Sequence, residues 1–292
     1  MKKIHLFICV FIAFFGMSIK SFGQEISTAD STSGKRTKEK SFGLVSTNYY
    51  SNIVFLGRKS PSWAPYLSAF AGYYHKSGLY INGGASYLAA SGENRIDLLT
   101  ATTGYDLYLG SFSGGISGTK YFFNTKSYIV KSALSGYVNV YADYDFDIVD
   151  VYIEGNAYFG NASDFISGLG MSHKFYAANE NLTITPTVYL NAGTQNYYSD
   201  YNNNLRFGLH MTGGGGSSMG TAMVVGGGRS FKALDYELSV PIGYTLNKFR
   251  CSFTPVYAMP VNAATITNGQ NTYKEDLSNS FFWSLGVSYK FL

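Results

Sequence analysis

Nine ionisable residues fall on the polar side of alternating segments: Asp106, Lys131, Asp150, Glu154, Lys174, Asp235, Glu237, Arg250 and Lys290. Both signs occur and nearly balance. Charges removed from bulk water need partners, so one expectation is mutual pairing across a filled interior. The other is that these groups line a polar pore, in which balanced charge gives little preference for one ion sign.

Other reactive side chains are sparse. Of the 4 histidines, His5 lies in the leading apolar stretch, His75 at a short turn and His210 in a long connection. His173 follows Ser172, but neighbours on a strand point to opposite faces, which argues against acyl hydrolysis by that pair. No His or Cys pair has metal-ligand spacing, and no cofactor motif is present. The glycine clusters Gly213–Gly216 and Gly226–Gly228 lack the Gly-Lys-Ser/Thr of a phosphate loop and read as loop.

The elements that would position these residues follow from composition. The chain has 292 residues with 33 Gly, 26 Tyr and 22 Phe, but only 14% charged residues. Mean hydropathy is −0.03. After the first 25 residues no apolar run is long enough for a membrane helix. Many aromatics and few charges suit strands that alternate between lipid and lumen.

Residues 1–23 carry the marks of an export signal. Lys2 and Lys3 precede an apolar core from Ile4 to Gly16, and small residues set a cut after Gly23. Cys9 sits inside that core with no lipoprotein box, so no lipid attachment is expected. The net charge of +4 loses Lys2, Lys3 and Lys20 and no acid on cleavage. That leaves near neutrality and no basic surface for nucleic acid. Only Cys251 then remains, which excludes an internal disulfide. Residues 24–41 (QEISTADSTSGKRTKEKS) are almost free of large apolar side chains and read as a flexible periplasmic tail.

From residue 42 the sequence alternates with period 2. In the final segment Phe281, Trp283, Leu285, Val287, Tyr289 and Phe291 share one face, and Phe282, Ser284, Gly286, Ser288 and Lys290 share the other. Val151 and Ile153 oppose Tyr152 and Glu154 in the same way. Val130, Leu134, Val138 and Val140 oppose Lys131, Ser135, Tyr137 and Asn139. The pattern predicts strands near 42–57, 64–75, 78–91, 94–109, 111–124, 129–142, 147–160, 163–177, 182–197, 231–246, 249–260 and 280–292. Connections 198–230 and 261–279 are long and fall at one end, while the opposite end has only short turns, the arrangement of bacterial barrels. Asn204–Met211 and Gly220–Val225 could add a hairpin and raise the count to fourteen. Pro186, Pro241 and Pro255 mark strands nine to eleven as a distorted wall, because proline cannot donate to the ladder.

The reading is therefore all-β: one transmembrane antiparallel barrel over 42–292, with about twelve strands. Its export signal, even strand count and closing strand Trp283-Ser-Leu-Gly-Val-Ser-Tyr-Lys-Phe-Leu292 resemble bacterial outer-membrane β-barrel proteins. The Ser-Phe-Gly-Gln cut and the Tyr/Asn-rich composition resemble those of Bacteroidota. The resemblance implies an outer-membrane location and contact with outer-membrane lipid, while the sparse reactive side chains give no expectation of an enzymatic step. It also implies that the barrel-assembly machinery reads the final strand through Trp283, Tyr289 and Phe291, although Leu292 stands where the group usually ends in Phe. The two function classes are a passive channel for small polar solutes, constricted by loop 198–230, and a filled barrel serving as a subunit of an envelope complex.

Overall fold

In the computed structural model, the described residues are 40–59, 63–90, 92–127, 129–204, 223–268 and 271–291. The expected export segment, nearly all of the tail and residues 205–222 of the long loop lie outside them.

Alternating apolar and polar side chains stabilise strands that are wet or packed on one face and greasy on the other. The strands are β1 (Phe42–Tyr50), β2 (Tyr66–Tyr74), β3 (Leu79–Ala90), β4 (Glu93–Leu109), β5 (Phe112–Phe123) and β6 (Gly136–Asp145). They continue as β7 (Asp150–Phe159), β8 (Asp164–Ser172, resumed at Phe175–Ala177) and β9 (Leu182–Ile184, resumed at Thr187–Gly193). The last three are β10 (Lys232–Ser239, resumed at Ile242–Leu246), β11 (Phe249–Pro260) and β12 (Ser280–Phe291). Each pairs antiparallel with its chain neighbour, and β12 pairs with β1 from Gly43↔Phe291 to Tyr50↔Ser284. The sheet closes as a 12-stranded barrel, and no described helix is long and apolar enough to cross a membrane. Closure leaves no unpaired edge, a condition for standing in hydrocarbon.

The outer surface is apolar. Ile81, Ile116, Val140, Ile153, Val188 and Leu285 are all exposed there, although each would be core in a soluble protein. Only contact with lipid makes such a band stable.

Two β-bulges reverse the alternation. Ser86 pairs with Leu98 but Tyr87 with Ile96, so Asp97 is the extra residue in β4. Asn191 pairs with Asp235 but Ala192 with Ala233, so Leu234 is extra in β10. Each bulge turns two successive residues inward: Asp97 with Leu98, and Leu234 with Asp235.

The first and sixth strands are shorter than the sequence suggests. β1 ends at Tyr50, and a small hairpin (Val54–Phe55 with Arg58–Lys59) follows instead of more wall. β6 begins at Gly136, after a 3-10 turn over Val130–Ala133. Val130 and Leu134 face a buried cluster rather than lipid. Short alternation cannot distinguish a strand from a loop folded onto a core, because both place apolar residues at even spacing.

The distorted wall also lies one strand away from its expected place. The breaks fall in β8, β9 and β10, at 173–174, 185–186 and 240–241, while β11 runs unbroken through Pro255. The His173 amide donates to the Pro186 carbonyl (3.0 Å) and the Val240 amide to the Pro255 carbonyl (3.1 Å), which bridges the gap.

In the long connection, helix α1 (Asn196–Asn204) comes first. Its described second part, Met223–Gly226, pairs with Thr265–Asn268, which pairs with Asn271–Lys274. These strands form a separate sheet, so they do not extend the wall to fourteen.

Candidate functional site

The interior divides into a polar lower lumen and a packed mouth. Lumen chemistry follows from the inward positions of successive strands, which carry Ser46, Ser68, Asn82, Thr102, Thr119, Asn139 and Asn156, all buried. Hydroxyls and amides meet across strands: Ser68 Oγ donates to Ser86 Oγ (2.8 Å), and the Thr102 and Thr119 hydroxyls bond to each other (2.8 Å).

Glu154 is the centre of one network. Its Oε2 accepts from Asn139 Nδ2 (3.0 Å) and the Tyr152 hydroxyl (3.0 Å), and its Oε1 accepts from the Tyr189 hydroxyl (2.5 Å). Gly168 makes this possible, because a Cβ there would collide with the Tyr189 hydroxyl. Asp106 is held in the same manner, accepting from the Tyr141 hydroxyl at 2.8 Å. Buried carboxylates are here supplied by phenol donors, whose hydrogen bonds offset the loss of hydration.

The remaining candidates are spread over the height of the barrel. Asp235 and Glu237 are buried side by side on β10. Arg250 donates to the Thr245 and Thr183 hydroxyls (3.1 Å each). The Lys290 ammonium lies 4.1 Å from the centre of the Phe42 ring, which stacks on Tyr74 at 4.9 Å, and Tyr74 stacks on Tyr80 at 5.4 Å. Asp150 and Lys174 are half-buried near the short-turn end, Lys174 within the break in β8. Lys131 is buried with its ammonium 4.4 Å from the Tyr121 ring centre, but it comes from the 3-10 turn and not from a strand. Trp283, Tyr289 and Phe291 belong to the outer surface. Trp283 lies 5.4 Å from Tyr49 and 6.0 Å from Phe253, and Tyr289 lies 4.7 Å from Phe249. His173 donates through Nδ1 to the Ile148 carbonyl (2.6 Å) and packs on Phe175, away from Ser172 chemistry.

The mouth is narrowed by connections folded inward. Phe55 and Leu56 from the first hairpin, Val130 and Leu134 from the 3-10 turn, and Tyr197 and Tyr201 from α1 form one cluster with wall residues such as Tyr137 and Tyr158. The hairpin turns at Leu56 and Gly57, whose φ values of 51° and 74° are both left-handed. Such a turn matches strand twist, but a left-handed leucine costs roughly 1–2 kcal/mol. Leu56 is 2% exposed, and that burial offsets the strain.

Four ionic residues at the mouth lie outside the nine candidates, and of these only Asp164, in phase with Ile166 and Gly168 on β8, could be placed by parity. Arg58 grips Glu275 with two parallel bonds, Nε–Oε1 at 3.0 Å and Nη2–Oε2 at 3.1 Å, and tethers the first hairpin to the last loop. Burial disfavours the Arg58 charge, but Tyr197 and Glu275 outweigh it and hold the group above its ordinary range. Asp97 accepts from the Tyr66 hydroxyl, from Ser127 Oγ at 2.6 Å and from Arg95 Nε at 2.8 Å. Asp164 caps α1, taking the Asn196 and Tyr197 amides at 2.7 Å each and the Thr194 hydroxyl at 2.6 Å. Arg58 and Glu275 lie in loops where alternation carries no information. Asp97 is hidden by the bulge.

No protein-family profile matches the chain, and no curated protein matches it. Among solved structures it is similar to the KdgM porin, with a TM-score of 0.49 and 10% identity over 85% of this chain and 99% of that one. It is similar also to the NanC porin, with a TM-score of 0.47 and 13% identity over 85% of this chain and 98% of that one. An anion-selective porin from Comamonas acidovorans gives a TM-score of 0.34 and 7% identity over 86% of this chain and 99% of that one. These likenesses are loose, and the barrel is established by the pairing of the chain's own strands.

Proposed function

We propose that this protein is a passive channel for small polar solutes in a bacterial outer membrane, with a mouth narrowed by its own loops. The observation that carries the reading is the polar inner face. From Ser46 on β1 to Ser239 on β10, each strand turns buried hydroxyls, amides or carboxylates inward. A solute shedding water in such a lumen exchanges hydrogen bonds instead of losing them. The same residues also support a second reading. Asn139, Asn156, Thr187 and Asn191 are almost fully buried, as they would be in a filled barrel serving an envelope complex. Swelling of liposomes containing the purified protein distinguishes the two. A channel admits small sugars at a rate that falls with solute size, and a filled barrel leaves the liposomes osmotically intact to all of them.

This reading brings further proposals. The chain is exported by a signal cut after Gly23, so N-terminal sequencing of the membrane form should begin at Gln24. Residues 24–41 hang in the periplasm, on the side of the short turns. Trp283, Tyr289 and Phe291 are read by the barrel-assembly machinery and then face outer-membrane lipid. The host belongs to the Bacteroidota, and transport involves no catalytic step.

A further inference from the structure

The inner face of β1 to β3 holds a small cavity of about 10 Å³, lined by Leu44, Ser46, Phe70, Gly72, Tyr74 and Asn82. Its shape follows from a glycine. Gly72 on β2 pairs with Leu44 of β1 on one side and Asn82 of β3 on the other. A Cβ at Gly72 would lie 2.8 Å from the Asn82 Cβ and 3.2 Å from the Tyr74 ring. Tyr74 is stacked between Phe42 (4.9 Å) and Tyr80 (5.4 Å), which holds its ring at the side of the cavity. Ser46 and Asn82 are only 7% and 9% exposed. Among the described residues, neither Ser46 Oγ nor Asn82 Oδ1 has a hydrogen-bond partner. Buried polar atoms left unpaired are costly, so these two call for a partner that fits the space between them.

Size and chemistry narrow that partner. The volume suits one water-sized group. Asn82 Oδ1 only accepts, whereas Ser46 Oγ both donates and accepts. Apart from the Tyr74 phenol the lining has no ionisable group, so nothing balances an ammonium or a carboxylate. A carboxylate also brings no proton for Asn82. We propose that this cavity binds one neutral hydroxyl group, whose O–H donates to Asn82 Oδ1 and whose oxygen accepts from Ser46 Oγ. The group belongs either to a resident water or to a polyol in transit. The second source deepens the channel reading and rests on it, and the first does not. Further neutral groups lie on the same wall: Asn48 Nδ2 on β1 and Thr100 Oγ1 on β4 are also buried without a partner. A polyhydroxylated solute moving along β1 to β4 therefore meets donors and acceptors in turn, with no charge to hold it.

The test begins with crystals of the full chain grown and cooled without any polyol. An oxygen-sized peak about 2.6–3.2 Å from both Ser46 Oγ and Asn82 Oδ1 is expected. An empty cavity overturns the proposal, as do Ser46 and Asn82 side chains that turn to bond each other. Liposome swelling then distinguishes the two sources, with xylitol as the probe and glycine betaine, which has no O–H, as the control. Asn82→Leu removes the acceptor and fills the cavity with an apolar side chain. Xylitol entry slowed at least threefold, with betaine entry unchanged, assigns the group to the solute. Equal entry of xylitol into parent and variant liposomes assigns it to a resident water. Heat-modifiable gel migration confirms folding, and Ser46→Ala, which deletes one of the two bonds, provides the same comparison if Asn82→Leu fails to fold. Liposomes impermeable to both solutes remove the channel reading, while the crystals of the unaltered protein still decide the site.

Discussion

At the level of single residues, the Arg58–Glu275 pair is the strongest local restraint on the mouth. Both side chains are buried, at 2% and 6% exposure, and the bond joins loops 217 residues apart in sequence. Removing one partner of such a pair leaves a stranded charge and costs about 3–5 kcal/mol. Glu275→Gln should therefore loosen the first hairpin, and in bilayer recordings the variant should open more often or more widely than the parent. An unchanged record would show that the pair does not hold the mouth. Gly57 tests the same hairpin differently. Gly57→Val puts bulk against Asp235 and Pro260 at a left-handed φ of 74° and should also favour open states. Parity was a good guide where the strand was regular. Asp106, Glu154 and Lys290 could be placed from the sequence alone, because a period of two leaves little choice once lipid takes one face. Asp97 could not, because the bulge at 96–98 shifts the phase by one residue.

At the level of elements, the loops carry what the sequence concealed. Position of the long connection at one end was legible from its Gly- and Asn-rich composition. Its inward fold was not, because Tyr197 and Tyr201 bury against residues far away in sequence, and no local pattern encodes that. Deleting residues 200–228 should raise conductance by removing part of the mouth filling, whereas conductance equal to the parent's would place the restriction elsewhere. On α1, burial raises the Asp200 carboxyl above its ordinary range, and Asp164 adds to the rise. A carboxyl raised in the docked state favours docking when protonated. Docking is thus strengthened as pH falls through the raised range and weakened as pH rises above it. Acid should close the channel, and Asp200→Asn should abolish that response. The breaks in β8 to β10 define a weaker seam, so amides near 172–175, 185–187 and 240–242 should exchange faster than those in the middle of β3 and β4. Uniform protection around the barrel would contradict this. Pro186 and Pro241 signalled the seam in the sequence, while Pro255 misled, since β11 accommodates it in an unbroken strand.

At the level of the whole molecule, a closed sheet with an apolar belt was written plainly in the alternation, because that pattern reports only a strand's two faces and the barrel depends on little else. Twelve strands were expected and twelve close the wall. The interior is harder to foresee, since hydroxyls and amides suit both a wet lumen and a packed one. Charge counting likewise suggested no preference of sign, and the structure adds that buried carboxylates such as Glu154 are supplied by phenol donors. Closure itself should appear as faster gel migration before boiling than after, since a barrel held by a continuous ladder resists detergent. The channel claim is tested most directly by single-channel recording in planar bilayers with the parent protein and the 200–228 deletion side by side. Discrete openings in the parent, enlarged in the deletion, are expected. A silent bilayer with both proteins, each shown to be folded and inserted, would contradict the channel and leave a filled barrel.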